Sequence, residues 1–360
     1  GKLSREKEVL SNTYSYMRQK MEEARVSMAS EPGKVRIINK AEINKNPISP
    51  KVSKNLLMAI FAGVFLGLGI SISIEYFDNT LRSIEYVERL NLPILAIIPS
   101  IGIGNTDSKR EKESKLVSNT IRNGRQTVGN LQRRMVTHED PKSPISEAYR
   151  SLRTSLMYTK KGEKGSIMVS SPGPGEGKTT TIINLAITYA NLGKNTLLID
   201  GDLRKPVLHK VFNGNNEKGL THYLSGVEKN WENVVKSTDI PNLKIVYNGA
   251  IPPNPSELLG SKLMENLVVE LKKSYDVILY DAPPIMAVTD AVVLSRLIDQ
   301  FIIVVRFGRT AKDSIVHSLK AISHVDSQPT GVVFNDLNQK NSYYSNSYYS
   351  YQQYYYISES

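Results

Sequence analysis

The stretch Ser171-Pro172-Gly173-Pro174-Gly175-Glu176-Gly177-Lys178-Thr179-Thr180 carries the densest chemistry in this 360-residue chain. The run Ser166–Ser170 before it has the pattern of a buried strand, and an apolar helical pattern follows it. Strand, glycine-rich loop and helix form the setting in which backbone N–H groups can surround phosphate oxygens. Glycine lets the backbone approach closely, and the helix N-terminus adds the positive end of its dipole. The spacing predicts phosphate contacts from Gly173, Gly175, Glu176, Gly177, Lys178, Thr179 and Thr180. Lys178 is expected on the β- and γ-phosphates and the Thr179 hydroxyl on Mg²⁺, so ATP and Mg²⁺ are the expected cofactors. Pro172 stands where the usual G-x-x-x-x-G-K-[ST] pattern begins with glycine.

Three carboxylates strengthen the case. Leu197-Leu198-Ile199-Asp200-Gly201-Asp202-Leu203-Arg204 puts two aspartates at the end of one expected strand, and Val277-Ile278-Leu279-Tyr280-Asp281-Ala282-Pro283-Pro284 puts a third at the end of another. Ligands of open parallel sheets bind beyond the carboxyl ends of the strands. All three aspartates therefore belong on the rim that carries the glycine loop. Mg²⁺ keeps several waters and needs only one or two of these three carboxylates beside Thr179. One carboxylate is then left over to act as a base.

The elements that must position these residues are short continuous apolar runs separated by helical stretches. The strand candidates are Ser166–Ser170, Thr196–Ile199, Leu243–Val246, Val277–Tyr280, Phe301–Val305 and Gly331–Phe334. That alternation predicts an α/β fold, a mostly parallel sheet covered by helices on both faces, over residues 141–338. Upstream, Asn55 to Ile74 contains no charged residue, and such a helix would rise about 30 Å, the hydrocarbon thickness of a bilayer. A transmembrane helix is expected at 55–75. Residues 76–140 read as a juxtamembrane linker with a basic stretch from Lys109 to Arg134, and 339–360 as a disordered tail. The chain has no cysteine, which excludes disulfides, thiolate zinc sites and cysteine nucleophiles. Its net charge of +11 asks for an anionic partner. The basic stretch lacks an aromatic platform or a recognition-helix pattern, so anionic lipid is expected there and nucleic acid is not. Basic residues flank the N-terminal side of the apolar run more densely, yet an ATP site needs the cytoplasm, so residues 76 onward are expected there.

Taken together, Ser171–Thr179, Ile199–Arg204 and Leu279–Pro284 resemble the modified Walker A, second Walker and Walker B motifs of the bacterial tyrosine kinases of capsule and exopolysaccharide export. Glu147-Ala148-Tyr149-Arg150-Ser151-Leu152-Arg153 matches that family's Glu-x-x-Arg-x-x-Arg segment. The resemblance implies an autokinase on the bacterial inner membrane, with Lys178, Asp200, Asp202 and Asp281 catalytic, Asp200 as the base, and Arg204 in the nucleotide site. It implies ring-forming oligomers joined through Glu147, Arg150 and Arg153, and partners in a polysaccharide export machinery and a cognate phosphatase. It further makes residues 1–54 the extracytoplasmic end of a chain-length-determinant domain. On its own the Glu147–Arg153 segment reads equally as local Glu–Arg pairing on the outer face of a helix.

The chain has 19 tyrosines, and eight of them are Tyr343, Tyr344, Tyr348, Tyr349, Tyr351, Tyr354, Tyr355 and Tyr356. These are the expected phosphorylation sites. The competing reading is a membrane-tethered switch ATPase of the deviant-Walker class without kinase activity. Such proteins carry a lysine where this chain has Gly173, and do not end in tyrosine runs.

Overall fold

The computed structural model of the chain describes residues 1–30, 49–100, 135–159 and 165–337. The basic stretch from Lys109 and the tyrosine cluster lie outside the described residues. Two compact units divide it, Gly1–Glu75 and Tyr76–Ser360.

The first unit is helical among its described residues. Helix α1 (Lys2–Ser30) repeats Leu3, Leu10, Tyr14, Met17 and Met21 along one face, and all five are exposed. Helix α2 (Val52–Phe77) contains the expected apolar span, and its 26 residues rise about 39 Å. By length and composition it can cross a membrane.

The second unit is built on one sheet. Its elements run α3 (Ile84–Arg89), β1 (Ile94–Pro99), α4 (Val136–Glu139), α5 (Pro144–Thr159), β2 (Gly165–Ser170), α6 (Lys178–Asn191) and β3 (Thr196–Asp200). There follow α7 (Leu208–Val211), α8 (Leu220–Leu224), β4 (Val235–Ser237), β5 (Leu243–Val246), α9 (Pro255–Leu259) and α10 (Lys262–Ser274). The last are β6 (Val277–Asp281), α11 (Asp290–Ser295), β7 (Gln300–Arg306), α12 (Lys312–Ser323) and β8 (Gly331–Leu337). Among the described residues the sheet has eight strands in the order β1-β8-β7-β2-β6-β3-β5-β4, parallel except for β4 against β5.

Successive strand residues feed opposite faces. Ile167 and Val169 enter one core with Leu279, Ile302 and Val304, while Met168 enters the other with Ile278, Tyr280 and Ile303. The first core is closed by Tyr149, Leu152 and Leu156 of α5 and Ile182, Ile183 and Leu185 of α6. The second is closed by Leu267, Val268 and Leu271 of α10, Leu294 of α11 and Ile315 and Ile322 of α12. Burial on both faces explains why these strands read as unbroken apolar runs.

All six expected strands are present, and the structure adds β4 and β1. Strand β1 lies inside the stretch read from sequence as linker, upstream of the expected boundary at 141, and pairs in parallel with β8. It spans six residues and ends at Pro99, with Pro93 just before it, too short and too proline-bounded for a periodic signal. Gly331 makes the pairing possible: a Cβ there would lie 2.5 Å from the Pro93 carbonyl oxygen. Ile98 is fully buried in the core that also holds Tyr149 and Leu152. Ile98→Ala should therefore lower stability by about 2–5 kcal/mol in urea unfolding followed by the fluorescence of the single tryptophan, Trp231. A loss below about 0.5 kcal/mol, the level of a surface substitution, would mean that β1 does not belong to the core.

Candidate active site

Strand β2 delivers the chain into the glycine loop at its carboxyl end, and Gly177 opens α6 with φ 100°. Gly175 has φ 76°. Both values are left-handed conformations that side chains resist. The loop is braced from the ends of β7 and β8. The Asn335 side-chain amide donates to the Glu176 carbonyl at 2.8 Å, and Arg306 Nη1 donates to the Gly175 carbonyl at 3.3 Å while its Nε donates to Asp336 Oδ2 at 2.6 Å. Asn335 packs so closely that a Cβ on Gly177 would sit 1.9 Å from its Nδ2.

Two strand ends carry the acids, β3 with Asp200 and, just beyond it, Asp202, and β6 with Asp281. Register pairs Asp200 with Asp281 on neighbouring parallel strands, and pairs Asp281 with Val169 on the strand that leads into the loop. Lys178 Nζ reaches Asp202 Oδ2 at 3.1 Å and Asp281 Oδ1 at 3.3 Å. The Thr179 hydroxyl donates to Asp281 Oδ2 at 2.7 Å. Asp202 Oδ1 accepts from the Lys205 N–H at 3.0 Å. Asp200 Oδ2 accepts from the N–H groups of Val207 and Leu208 at 3.3 and 3.2 Å, but its buried Oδ1 has no hydrogen-bond partner. Relative exposures of 0%, 5% and 1% for Asp200, Asp202 and Asp281 put all three out of reach of bulk screening.

Burial pushes the Asp200 carboxyl up to about 8, with the Asp281 charge adding to it. Burial raises Asp281 as well, against the pull of Lys178 and the Thr179 hydroxyl. Lys178 is held above its ordinary value by Asp281 and Asp202, which outweigh its own burial. With the Asp200 proton retained, the two remaining carboxylates against one ammonium still leave one uncompensated negative charge in a buried site. That excess, the orphaned Asp200 Oδ1 and the hard oxygen donors all fit a divalent cation such as Mg²⁺. Among the described residues no three acidic or histidine side chains form a closed metal cage. An ion that takes one or two carboxylates and fills its shell with water and phosphate needs none.

Other expected site residues are engaged by neighbouring side chains and backbone groups. Arg204 is tied by Nε and Nη2 to the fully buried Asp290 at 2.9 and 3.0 Å, with Ser256 also donating to Asp290. Thr180 contributes its carbonyl to the Asn184 side chain at 2.8 Å. On α5, Arg150 pairs with Glu147 at 2.7 Å on the outer face, as the local reading predicts. Arg153 leans instead onto α6, where its Nη1 donates to the Thr188 carbonyl at 2.7 Å. Sequence reasoning missed Arg306, Thr310, Asn335 and Asp290. They stand at or just beyond the expected strands β7 and β8 and at the start of α11, and that rim position was their only signal.

Comparisons with known proteins bear on the fold and the family. An AAA domain family model matches residues 165–334, and the GNVR model, a G-rich domain on tyrosine kinases, matches residues 2–73. The chain is 39% identical over 206 residues to tyrosine-protein kinase YwqD of Bacillus subtilis, covering 57% of this chain and 86% of YwqD. It is 29% identical over 344 residues to tyrosine-protein kinase ptk of Acinetobacter johnsonii, covering 95% of this chain but 45% of ptk. The chain spans about half the length of most of the curated relatives it matches. The kinase domain of the Escherichia coli tyrosine kinase ETK superposes with a TM-score of 0.61 at 27% identity, covering 73% of this chain and 97% of that domain.

The raised Asp200 value has a sign that can be measured. An acid whose folded value lies above its unfolded value of 3.8 stabilises the fold fully at low pH, and that contribution is lost as pH rises through about 8. Asp200→Asn cannot ionise and escapes that loss. Without metal or nucleotide, its melting temperature should exceed that of the parent at pH 8 by at least about 2 °C, with the gap closing toward pH 5. A gap that stays constant across that range would contradict the burial argument.

Proposed function

The chain belongs to the bacterial tyrosine-protein kinase family, and from that premise we propose that it is an ATP- and Mg²⁺-dependent protein-tyrosine autokinase. One observation carries the reading: Lys178 and Thr179, leaving the glycine loop, meet Asp202 and Asp281 of two other strands within hydrogen-bonding distance. That arrangement can hold a triphosphate and a cation on the carboxyl rim of the sheet.

Lys178 supplies the positive charge for the β- and γ-phosphates, and the amides from Gly175 to Thr179 with the N-terminus of α6 supply the cradle. Asp202, Asp281 and Thr179 would hold Mg²⁺ through their oxygens, and the ion would supply charge neutralisation on the transferred phosphoryl group. Asp200 takes the proton of the incoming tyrosine hydroxyl at its unpartnered Oδ1. With a cation bound nearby, Asp200 would be ionised and so able to accept a proton from a hydroxyl of about 10. The loose transition state of phosphoryl transfer asks for little more, since positioning and charge neutralisation carry most of the catalysis.

The acceptors in this reading are Tyr343, Tyr344, Tyr348, Tyr349, Tyr351, Tyr354, Tyr355 and Tyr356, presented in trans by a neighbour in a ring. Glu147 and Arg150 expose a paired charge suited to the subunit contact, with Arg153 beside them. Helix α2 lies in the inner membrane and the catalytic unit on its cytoplasmic side, where ATP is available. The chain would then act with a polysaccharide polymerisation and export machinery, a cognate phosphatase and anionic lipid.

Incubating the chain with ATP·Mg²⁺ and probing for phosphotyrosine tests the activity, and Lys178→Met should abolish the signal while the protein stays folded. Undiminished phosphorylation in that variant would overturn the phosphate-loop assignment. Mass spectrometry of the product should find phosphate within Tyr343–Tyr356; phosphate only outside that segment would refute the tail as substrate.

A further inference from the structure

Glu176 is buried, 5% exposed, in a loop whose neighbours Pro174 and Gly175 face solvent. Its two carboxylate oxygens are separately engaged. Oε1 accepts the Thr310 hydroxyl at 2.7 Å, and Oε2 accepts the Gly173 N–H at 3.1 Å. Thr310 is itself buried, and its oxygen also accepts the Arg306 N–H at 2.8 Å. A hydroxyl has one proton. The Arg306 N–H can only donate, so with Glu176 ionised the Thr310 proton points to Glu176. The Thr310 backbone is fixed as well: its N–H donates to the Arg306 carbonyl at 3.0 Å, and its carbonyl accepts from the buried Leu81 N–H at 2.7 Å. Gly308 N–H returns a bond to the Leu81 carbonyl at 2.8 Å. The relay thus runs from a fixed turn after β7, through one oriented proton, into the glycine loop.

The loop needs such a brace. Gly175 and Gly177 both sit at positive φ, and glycine gives the unbraced loop many other conformations. Ordering them at the moment of binding would weaken affinity, whereas a loop already folded avoids that cost. We propose that Thr310 and Glu176 are positioning residues for nucleotide binding: the Thr310 hydroxyl fixes the Glu176 carboxylate, and the carboxylate fixes Gly173, so that the phosphate loop is shaped before nucleotide arrives. The inference rests on the phosphate-loop reading and adds to it two side chains that touch neither phosphate nor the reacting atoms. The local opposing effect is electrostatic, because a carboxylate near phosphates repels them. Burial and two donors turn this one away from the open face of the loop.

The test uses the full chain in detergent, with a fluorescent ADP analogue and Mg²⁺ as the probe. Thr310→Val keeps the shape and removes the proton, and Thr310→Ser keeps the proton. Thr310→Val should raise the dissociation constant at least about fivefold, the worth of one hydrogen bond, while Thr310→Ser stays within about twofold. Hydrogen exchange without nucleotide gives a local readout: amides of residues 171–177 should exchange faster in Thr310→Val while those of β6 do not change. Affinity in Thr310→Val equal to or tighter than the parent, or an equal loss in both variants, would overturn the proposal. If Thr310→Val does not fold, Glu176→Met decides in its place, since it keeps the length of the side chain and removes both acceptor oxygens; parent-like affinity there overturns the proposal. Failure of the parent chain itself to bind would instead sink the phosphate-loop reading beneath it.

Discussion

The register of β3 against β6 sets Asp200 beside Asp281, both of them buried, and the rest of the site answers that constraint. Two carboxylates at the ends of adjacent buried strands cannot both carry full charge cheaply. Lys178 reaches across from α6 to Asp281 and Asp202, Thr179 donates to Asp281, and the start of α7 donates two N–H groups to Asp200. These contacts offset part of the repulsion and leave Asp200 raised to about 8. A site built this way is short of positive charge by design of its topology. It favours ligands that bring a cation with them, and a nucleotide with its divalent metal is such a ligand.

The glycine loop poses the complementary problem, since its usefulness lies in backbone groups that no side chain of its own can fix. The solution comes from the far side of β2. Arg306 from β7, Thr310 from the turn after it and Asn335 from β8 each hold one loop residue, and β1 secures β8 from the sheet's edge. Acids come from the β6 and β3 side and braces from the β7 and β8 side, with β2 and its loop between them. A change in either flank is therefore felt at the phosphate loop.

What the sequence disclosed follows the same division. The loop, the three aspartates and six strands were legible because glycine spacing and doubly buried parallel strands leave continuous local patterns, as in Val277–Asp281. The braces were not, because Thr310 and Asn335 become meaningful only when separated segments meet: Thr310 lies 134 residues from its partner and Asn335 lies 159. Strand β1 was hidden by its proline boundaries and by the basic stretch after it. Arg204, expected in the nucleotide site from its motif, is bound to Asp290, whose burial no pattern around Thr289-Asp290 announces. For Arg153, helical periodicity pointed outward, and only the proximity of α6 turns it inward to Thr188.

The central claim is that buried carboxylates with raised proton affinity await a divalent cation. Titration calorimetry of preformed Mg·ADP into the chain, at about pH 7.5 in buffers of differing ionisation enthalpy, measures the protons exchanged on binding. A cation arriving beside Asp200 and Asp281 lowers their proton affinity, so binding should release protons, and the release should shrink in Asp200→Asn. Tight binding with no proton release in the parent chain would contradict the account.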